Sequence, residues 1–381
     1  MVSVSPINVV IVGVGLVGEQ VVHQLDLPNL KRIFRIRTLY TSKKKLVVSE
    51  DVYTASELIS RLKSDQSNEV LGGVEDIVEY VSNSKKLPRP ALVIDCTSNQ
   101  TFADAYPRIL SSPGPIHLVT PNKKAFSGPA SLNKAIDDAC RGTPNLVYKE
   151  ATVGAGLPII STLRELVVTG DEILKIEGIF SGTMSYLFNQ FSQPGKRTTT
   201  RFSEVVAGAK ANGYTEPHPG DDLNGSDVAR KLCILARNLG SSTTLSLPDG
   251  FQSVPTQSLV PSQLVGVDDP TDFMKRLPEF DEQFEKLKNE AFEDGCVLRF
   301  VGIVDLTGKA EGEVKAGLEK YPFAHPFATL TGSDNIISFR SKRYSPNPLI
   351  VQGSGAGADV TAMGVVGDMV KVAERTLGHN I

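Results

Sequence analysis

Residues 213–231, GYTEPHPGDDLNGSDVARK, gather four carboxylates (Glu216, Asp221, Asp222, Asp227) and two cations (Arg230, Lys231) in a loop dense in Gly and Pro that leads straight into a helix. Such a set suits a pocket for a small molecule with both an amine and a reacting oxygen: carboxylates grip an ammonium, and a lysine handles a proton. Val228, Leu232, Leu235 and Leu239 recur at steps of four, three and four, the apolar stripe of an amphipathic helix, and Gly240 stands at its expected end. On that helix Asp227 and Lys231 are four apart and share one face. Taken alone, the pair also reads as a solvated ion pair worth about 0.3–0.5 kcal/mol. The presence of Glu216 and Asp222 on the loop that delivers the helix weighs against that reading. Asn224 is expected as the N-cap, with Asp227 closing a variant of the capping box.

The elements that would position this chemistry begin at the N-terminal end. Ile7–Val12 (INVVIV) is a short, continuous, β-branched apolar run that opens into Gly13-Val14-Gly15-Leu16-Val17-Gly18 and then a helical pattern. A lone G-x-G-x-x-G is weak, but strand, glycines and helix in this order is the context of a dinucleotide fingerprint. Gly13 would permit the tight turn, Gly15 the approach of the pyrophosphate and Gly18 close helix–strand packing. The plainer reading is a glycine-rich turn between a buried strand and helix. A second strand is expected over 33–40, and at its end an NAD site usually places an acidic residue. This chain has Thr41-Ser42-Lys43-Lys44-Lys45 instead, a hydroxyl and cations that favour a 2′-phosphate and hence NADP, with NAD left open. Any one of these lysines also reads as part of a solvated loop.

Further strands are expected at 91–96, ending in Thr97-Ser98-Asn99, and at 116–120, followed by Pro121-Asn122-Lys123-Lys124. Ligands of open parallel sheets bind beyond the carboxyl ends of the strands, so both polar tails should face the nicotinamide, with Lys123 the first candidate for a reacting cation. A last strand at 146–148 gives way to a loop with Gly154 and Gly156, and Pro158 is expected at N1 of a helix ending near Gly170. Glu150 beside that loop could hold a hard cation, although spacing alone describes an ordinary strand-to-helix connection. A strand over 175–180 precedes Ser181-Gly182-Thr183, a helix start suited to a carboxylate. Strands at 297–306, 311–320 and 336–340 imply a sheet-built second domain. A strand at 349–351, a glycine turn around Gly355 and a helix over 358–377 are expected to return to the first domain, with Gly355 near the cofactor.

The expected fold is therefore α/β. A Rossmann-type parallel sheet covers residues 1–148 and is completed by 349–381, and a second, α+β domain on a mixed sheet covers 149–348. The 381 residues suffice for two cores, and a net charge of −3 gives no electrostatic reason to expect nucleic acid. Partners should be small molecules or further copies of the chain. Cys96, Cys140, Cys233 and Cys296 form no CxxC pair, which fits a reduced, cytoplasmic setting. His23, His117, His218, His325 and His379 are too scattered to argue a zinc site. No apolar segment reaches the roughly 20 residues that a bilayer requires.

The order GVGLVG, TPNKKA, EATVGAGLPII, FSGTMSYLFN, GYTEPHPGDDLNGSDVARK and GSGAGADVTA closely resembles homoserine dehydrogenase, from the first strand to the last helix. The form it resembles is the short monofunctional one, with neither an aspartate kinase domain before it nor a regulatory domain after it. The resemblance implies reversible NAD(P)-linked interconversion of L-homoserine and L-aspartate 4-semialdehyde, in the pathway to threonine and methionine. It implies that Glu216 binds the substrate amino group and that Gly182, Thr183, Tyr214 and Asp222 complete the pocket. Asp227, Lys231 and Lys123 would surround the reacting oxygen. It also implies sodium at Glu150 with carbonyls of Val153, Ala155 and Leu157, cofactor contact at Gly213, and a homodimer.

In the expected mechanism Lys231 gives the proton in the reducing direction. A neighbouring Lys123 would lower its pKa and Asp227 would oppose that shift, but spacing leaves open which lysine acts. Aspartate-semialdehyde dehydrogenase, a rival reading, would need a cysteine nucleophile with a nearby base, and none of the four cysteines has that setting. The non-enzyme alternative is a catalytically silent NADP sensor.

Overall fold

The computed structural model describes residues 6–49, 53–64, 69–70, 72–240, 245–308 and 311–378; His379 lies outside them. The chain divides into two units, Met1–Gly156 with Gly357–Ile381, and Leu157–Ala356.

The first unit is built on a seven-stranded sheet of order β4-β3-β2-β1-β5-β6-β7. β1 (Ile7–Val12) is its centre and is buried at every position, as a strand covered on both faces must be. It runs parallel to β2 (Phe34–Tyr40) on one side and β5 (Ala91–Asp95) on the other, and β6 (Ile116–Val119) and β7 (Val147–Tyr148) continue in parallel. At the opposite edge β3 (Lys44–Val47) and β4 (Glu69–Val70) pair antiparallel. The lysine-rich tail of β2 is thus the turn of a hairpin. Leu16–Gln24 and the C-terminal helix Ala358–Leu377 share the core of this unit, where Val21, Val22, Val365, Met369 and Val372 pack with β1.

The second unit carries a five-stranded sheet of order β10-β9-β8-β11-β12, made of β8 (Ile173–Ile179), β9 (Cys296–Asp305), β10 (Glu313–Pro322), β11 (Asp334–Ser341) and β12 (Leu349–Ser354). The expected mixed sheet is antiparallel throughout, and a parallel contact enters only as the isolated bridge Thr256 to Ala316. β12 pairs with β11, so the chain leaves this unit at 356/357 rather than at 348/349. At the other end the turn Glu150–Thr152 belongs with the C-terminal helix, because the Glu150 N–H donates to Asp368 at 2.7 Å.

The helix Ser226–Arg237 lies on β9, where a Cβ on Gly302 would stand 2.7 Å from Leu232 Cδ2. Its stripe is buried as patterned, with Val228, Leu232, Leu235 and Leu239 all at 0–1% exposure. The cap differs from expectation: Gly225 (φ 76°) precedes the helix, and Asn224 accepts the Ser226 N–H at 2.8 Å. Pro158 likewise stands at the N-cap of Ile159–Val168 rather than at N1. Arg299 is buried, its guanidinium donating to the carbonyls of Phe188, Ser192, Leu298, Phe327 and Ala328. Among the described residues, no helix is long and apolar enough to cross a membrane.

His117 ties β6 into the first unit. Its Nδ1 accepts the Leu146 N–H at 3.2 Å, and its Nε2 lies 3.3 Å from the Thr376 hydroxyl. Burial pushes its pKa down from 6.5 to about 4. Below pH 6.5 the unfolded chain takes a proton that the folded protein refuses, so this contribution to stability is lost as pH falls toward 4, by roughly 3 kcal/mol in all. Asp368 has the opposite sign, because burial pushes its carboxyl up to about 6 and the folded protein is the better proton acceptor. The two offset each other in the parent, so the informative quantity is a difference. The stability gap between the parent and His117→Gln, measured by denaturant melts, should narrow as pH is lowered from 7 to 4.

Candidate active site

In the first unit, the Gly13–Gly18 turn is shaped by what cannot be there. Gly13 has φ 87°, and a Cβ on it would lie 2.6 Å from Thr97 Cγ2; one on Gly18 would lie 2.5 Å from the Gly13 carbonyl oxygen. At Gly15 a Cβ would meet nothing within 4 Å, so backbone is laid open on that side. The Gly13 and Val14 N–H groups both donate to the Tyr40 carbonyl, and Val14 is buried. Of the six turn residues, Leu16 and Val17 therefore stand at the helix start, where backbone N–H groups have no partner within the helix and attract anions. These features fit a dinucleotide.

The three consecutive lysines separate in function. Lys44 Nζ donates to the carbonyls of Lys63 and Ser64, and Lys45 lies over the Tyr80 ring. Thr41 Oγ1 accepts the N–H groups of Lys43 and Lys44 and holds the turn, leaving Ser42 and Lys43 exposed at the end of β2.

Sequence reading missed the network beneath the other two tails. Asp95, fully buried at the end of β5, accepts from the Tyr106 hydroxyl, from the Asn122 amide at 3.0 Å and from the Thr97 N–H at 2.7 Å. Thr120 Oγ1 donates to the Asp95 carbonyl and accepts the Asn122 N–H, both at 2.8 Å. One carboxylate thus joins Thr97-Ser98 to Pro121-Asn122-Lys123. Lys123 is half-buried at the N-cap of a short helix, Lys124–Ser127. Burial raises the Asp95 pKa against the pull of its donors. A lone Asp in the apolar run ALVIDC was the available signal.

Glu150 is buried, with Lys371 Nζ 3.5 Å from its Oε2. The turn after it holds Gly154 at φ 78° and Ala155 at φ 53°, the one non-glycine with positive φ among the described residues. A buried carboxylate beside so tightly turned a backbone fits the oxygen demand of a hard cation. Lys371 already answers part of the negative charge.

In the second unit, the structure brings the predicted substrate residues together. Ser181 caps Gly182–Phe191, its hydroxyl accepting the Met184 N–H at 3.2 Å. Thr183 Oγ1 donates to the Tyr214 carbonyl at 2.7 Å, and Asp222 accepts the Glu216 N–H at 2.8 Å. Burial raises the Asp222 carboxyl above its ordinary range, while the Glu216 N–H pulls it back. Glu216 and Tyr214 are exposed. Lys231, 7% exposed, places its ammonium 2.6 Å from Asp227 Oδ2 and 2.6 Å from the Phe180 carbonyl. Asp227 is half-exposed, so the cation is the more deeply held partner. Gly213 is exposed at φ 72°, just after the helix Phe202–Ala211. Gly355, expected near the cofactor, belongs to this unit and packs on Asn335. His218 is structural: its Nδ1 accepts the Gly220 N–H, and its Nε2 lies 2.8 Å from the Val267 carbonyl.

A Rossmann-like unit with a glycine turn, and a second unit with an ammonium among carboxylates, define an NAD(P)-linked oxidoreductase acting on a CH–OH group. The family model for homoserine dehydrogenase matches residues 158–370, and that for the homoserine dehydrogenase NAD-binding domain matches residues 13–148. The homoserine dehydrogenase of Paracoccidioides brasiliensis is 46% identical, with 96% of this chain and 97% of that protein covered. The Saccharomyces cerevisiae enzyme is 42% identical, with 98% and 99% covered. A Candida auris protein of unknown function has a structure similar at TM-score 0.85 and 40% identity, covering 97% of this chain and 99% of that one. A hyperthermophilic archaeal homoserine dehydrogenase in complex with NADPH shares the fold at TM-score 0.68 and 20% identity, with 98% and 99% covered. The chain belongs to the homoserine dehydrogenase family. The alternative of a silent sensor gains no support.

Replacing Asp95 by Asn sets an amide N–H against one of the donors that converge there. A buried donor without an acceptor costs about 1–3 kcal/mol. Asp95→Asn should therefore melt several degrees lower than the parent and recover less on addition of NADP, in thermal scans with and without cofactor.

Proposed function

We propose that this homoserine dehydrogenase uses Lys231 as proton donor in the reducing direction, with the Thr183, Tyr214, Glu216 and Asp222 group as its substrate grip. The observation that carries this is the buried Lys231 ammonium, fixed between Asp227 and the Phe180 carbonyl three residues before Thr183. NADP, when bound, supplies or accepts the hydride. Glu216 and Asp222 face a substrate ammonium, and Gly182 with Thr183, at a helix start, meets the carboxylate. Lys231 delivers its proton to the oxygen that gains charge as the aldehyde is reduced, and takes it back in the reverse direction. Asp227 keeps the ammonium in place. Lys123, on the tail held by Asp95, is the second cation of the reaction.

Cofactor binding falls to Gly13, Gly15, Leu16, Val17 and Gly18, with Val14 shaping the turn and Thr97, Ser98, Pro121, Gly213 and Gly355 as further contacts. Exposed Ser42 and Lys43 favour NADP over NAD. Sodium at Glu150 with the carbonyls of Val153, Ala155 and Leu157, a homodimer, a cytoplasmic setting and a step toward threonine and methionine complete the reading; motif likeness to the family supports them.

Two substitutions separate the roles. With homoserine and NADP, followed at the absorbance of NADPH, Lys231→Ala should lose about 10²–10⁴-fold in kcat; an unchanged kcat removes Lys231 as proton donor. Glu216→Leu should raise the KM for homoserine with a smaller effect on kcat, and a parental KM would exclude Glu216 as the ammonium ligand.

A further inference from the structure

We propose that Asn335 is a positioning residue for the proton-donor lysine, acting through the Phe180 carbonyl that the two side chains share. This rests on the reading of Lys231 as donor. Asn335 is 0% exposed, so a direct contact with substrate is ruled out. Its Nδ2 donates to the Phe180 carbonyl at 3.1 Å, and Lys231 Nζ donates to the same oxygen at 2.6 Å. A carbonyl oxygen has two lone pairs, and these two donors occupy them. The direction of that carbonyl is thus set jointly by β11 and by the helix Ser226–Arg237.

The register explains how Asn335 gets there. Ile336 pairs with Ile179, so one step further along β11 the Asn335 amide reaches Phe180, just past the end of β8. The reverse orientation of the amide would set two oxygens against each other. Gly355 holds the amide in place: a Cβ there would stand 2.0 Å from Nδ2 and 2.1 Å from Cγ. Asn335 Oδ1 is buried with no donor among the described residues. Gly182 belongs to the same cluster, since a Cβ on it would lie 3.1 Å from the Ser333 carbonyl oxygen and 3.7 Å from Ala356 Cβ.

Without the amide the Phe180 carbonyl can pivot, and the ammonium that leans on it loses a fixed point. Asn335→Ala should lower kcat by about 10-fold to 100-fold, the scale on which misplacement of a reacting group acts. The KM for NADP should stay within about twofold, a range well under one 1.4 kcal/mol decade. The solvent deuterium isotope effect on kcat should grow, because proton transfer slows while hydride transfer is untouched. Asn335→Ser, which keeps a donor and leaves a smaller gap, should fall between Ala and parent, and it carries the test if the Ala variant fails to fold. A kcat near that of the parent, or a lower kcat with an unmoved isotope effect, overturns the proposal. Lys231→Ala is measured alongside. Full activity in that variant sinks the donor reading and this proposal with it, whereas an inactive Lys231→Ala beside a silent Asn335→Ala sinks only the role of Asn335.

Discussion

An ammonium withdrawn from water must be given oxygen in return, and the second unit is arranged around that requirement at Lys231. Removing one charge from water without compensation is among the largest penalties a fold can carry. Here the Asp227 carboxylate and the Phe180 carbonyl lie against it, each at 2.6 Å. Asp227 comes from the same helix, one turn earlier, but Phe180 comes from the end of a sheet strand. The helix must therefore dock on the sheet at one height only. Gly302 on β9 allows the close approach, and the buried stripe from Val228 to Leu239 supplies the apolar area that holds it.

The first unit answers a different constraint, that a bound polyanion must meet N–H groups rather than side chains. Its glycines are distributed accordingly. Two are crowded by the Thr97 methyl and by the backbone of the turn itself, while the middle one faces open space. Beneath the neighbouring tails, Asp95 replaces a scatter of loop contacts with one buried acceptor on which Tyr106, Thr97 and Asn122 converge. The loop conformations thus depend on a carboxylate at the end of a strand, which is more rigid than any loop.

Much of this was legible in the sequence because it is written in periodicity. Ile7–Val12 and Ala358–Leu377 are found with the expected limits, and the Lys231 helix buries the expected stripe. What periodicity does not encode was missed. The β3 strand was hidden because its alternation is masked by lysines that turn out to bond carbonyls and cover a ring. The pairing of β12 with β11 is a tertiary choice that a three-residue apolar run does not reveal. Phe180 enters the site through its carbonyl, a group every residue carries, so nothing in its side chain could point to it. Asn335 follows from that same invisible partner. The cap at Gly225 was misread because Asn224, the better capping type, spends its side chain one residue early.

The two units differ in how their sequence is laid out. The second is one uninterrupted run of about 200 residues, whereas the first is assembled from both ends of the chain, with Ala362, Val365, Met369 and Val372 completing a core begun by Ile7 and Val9. On a ribosome adding roughly 5–20 residues per second, the dinucleotide sheet waits about 10–40 s for its last helix while the substrate unit emerges whole. The half that is translated first is therefore the half whose core is completed last, since its closing helix is the last element to be made.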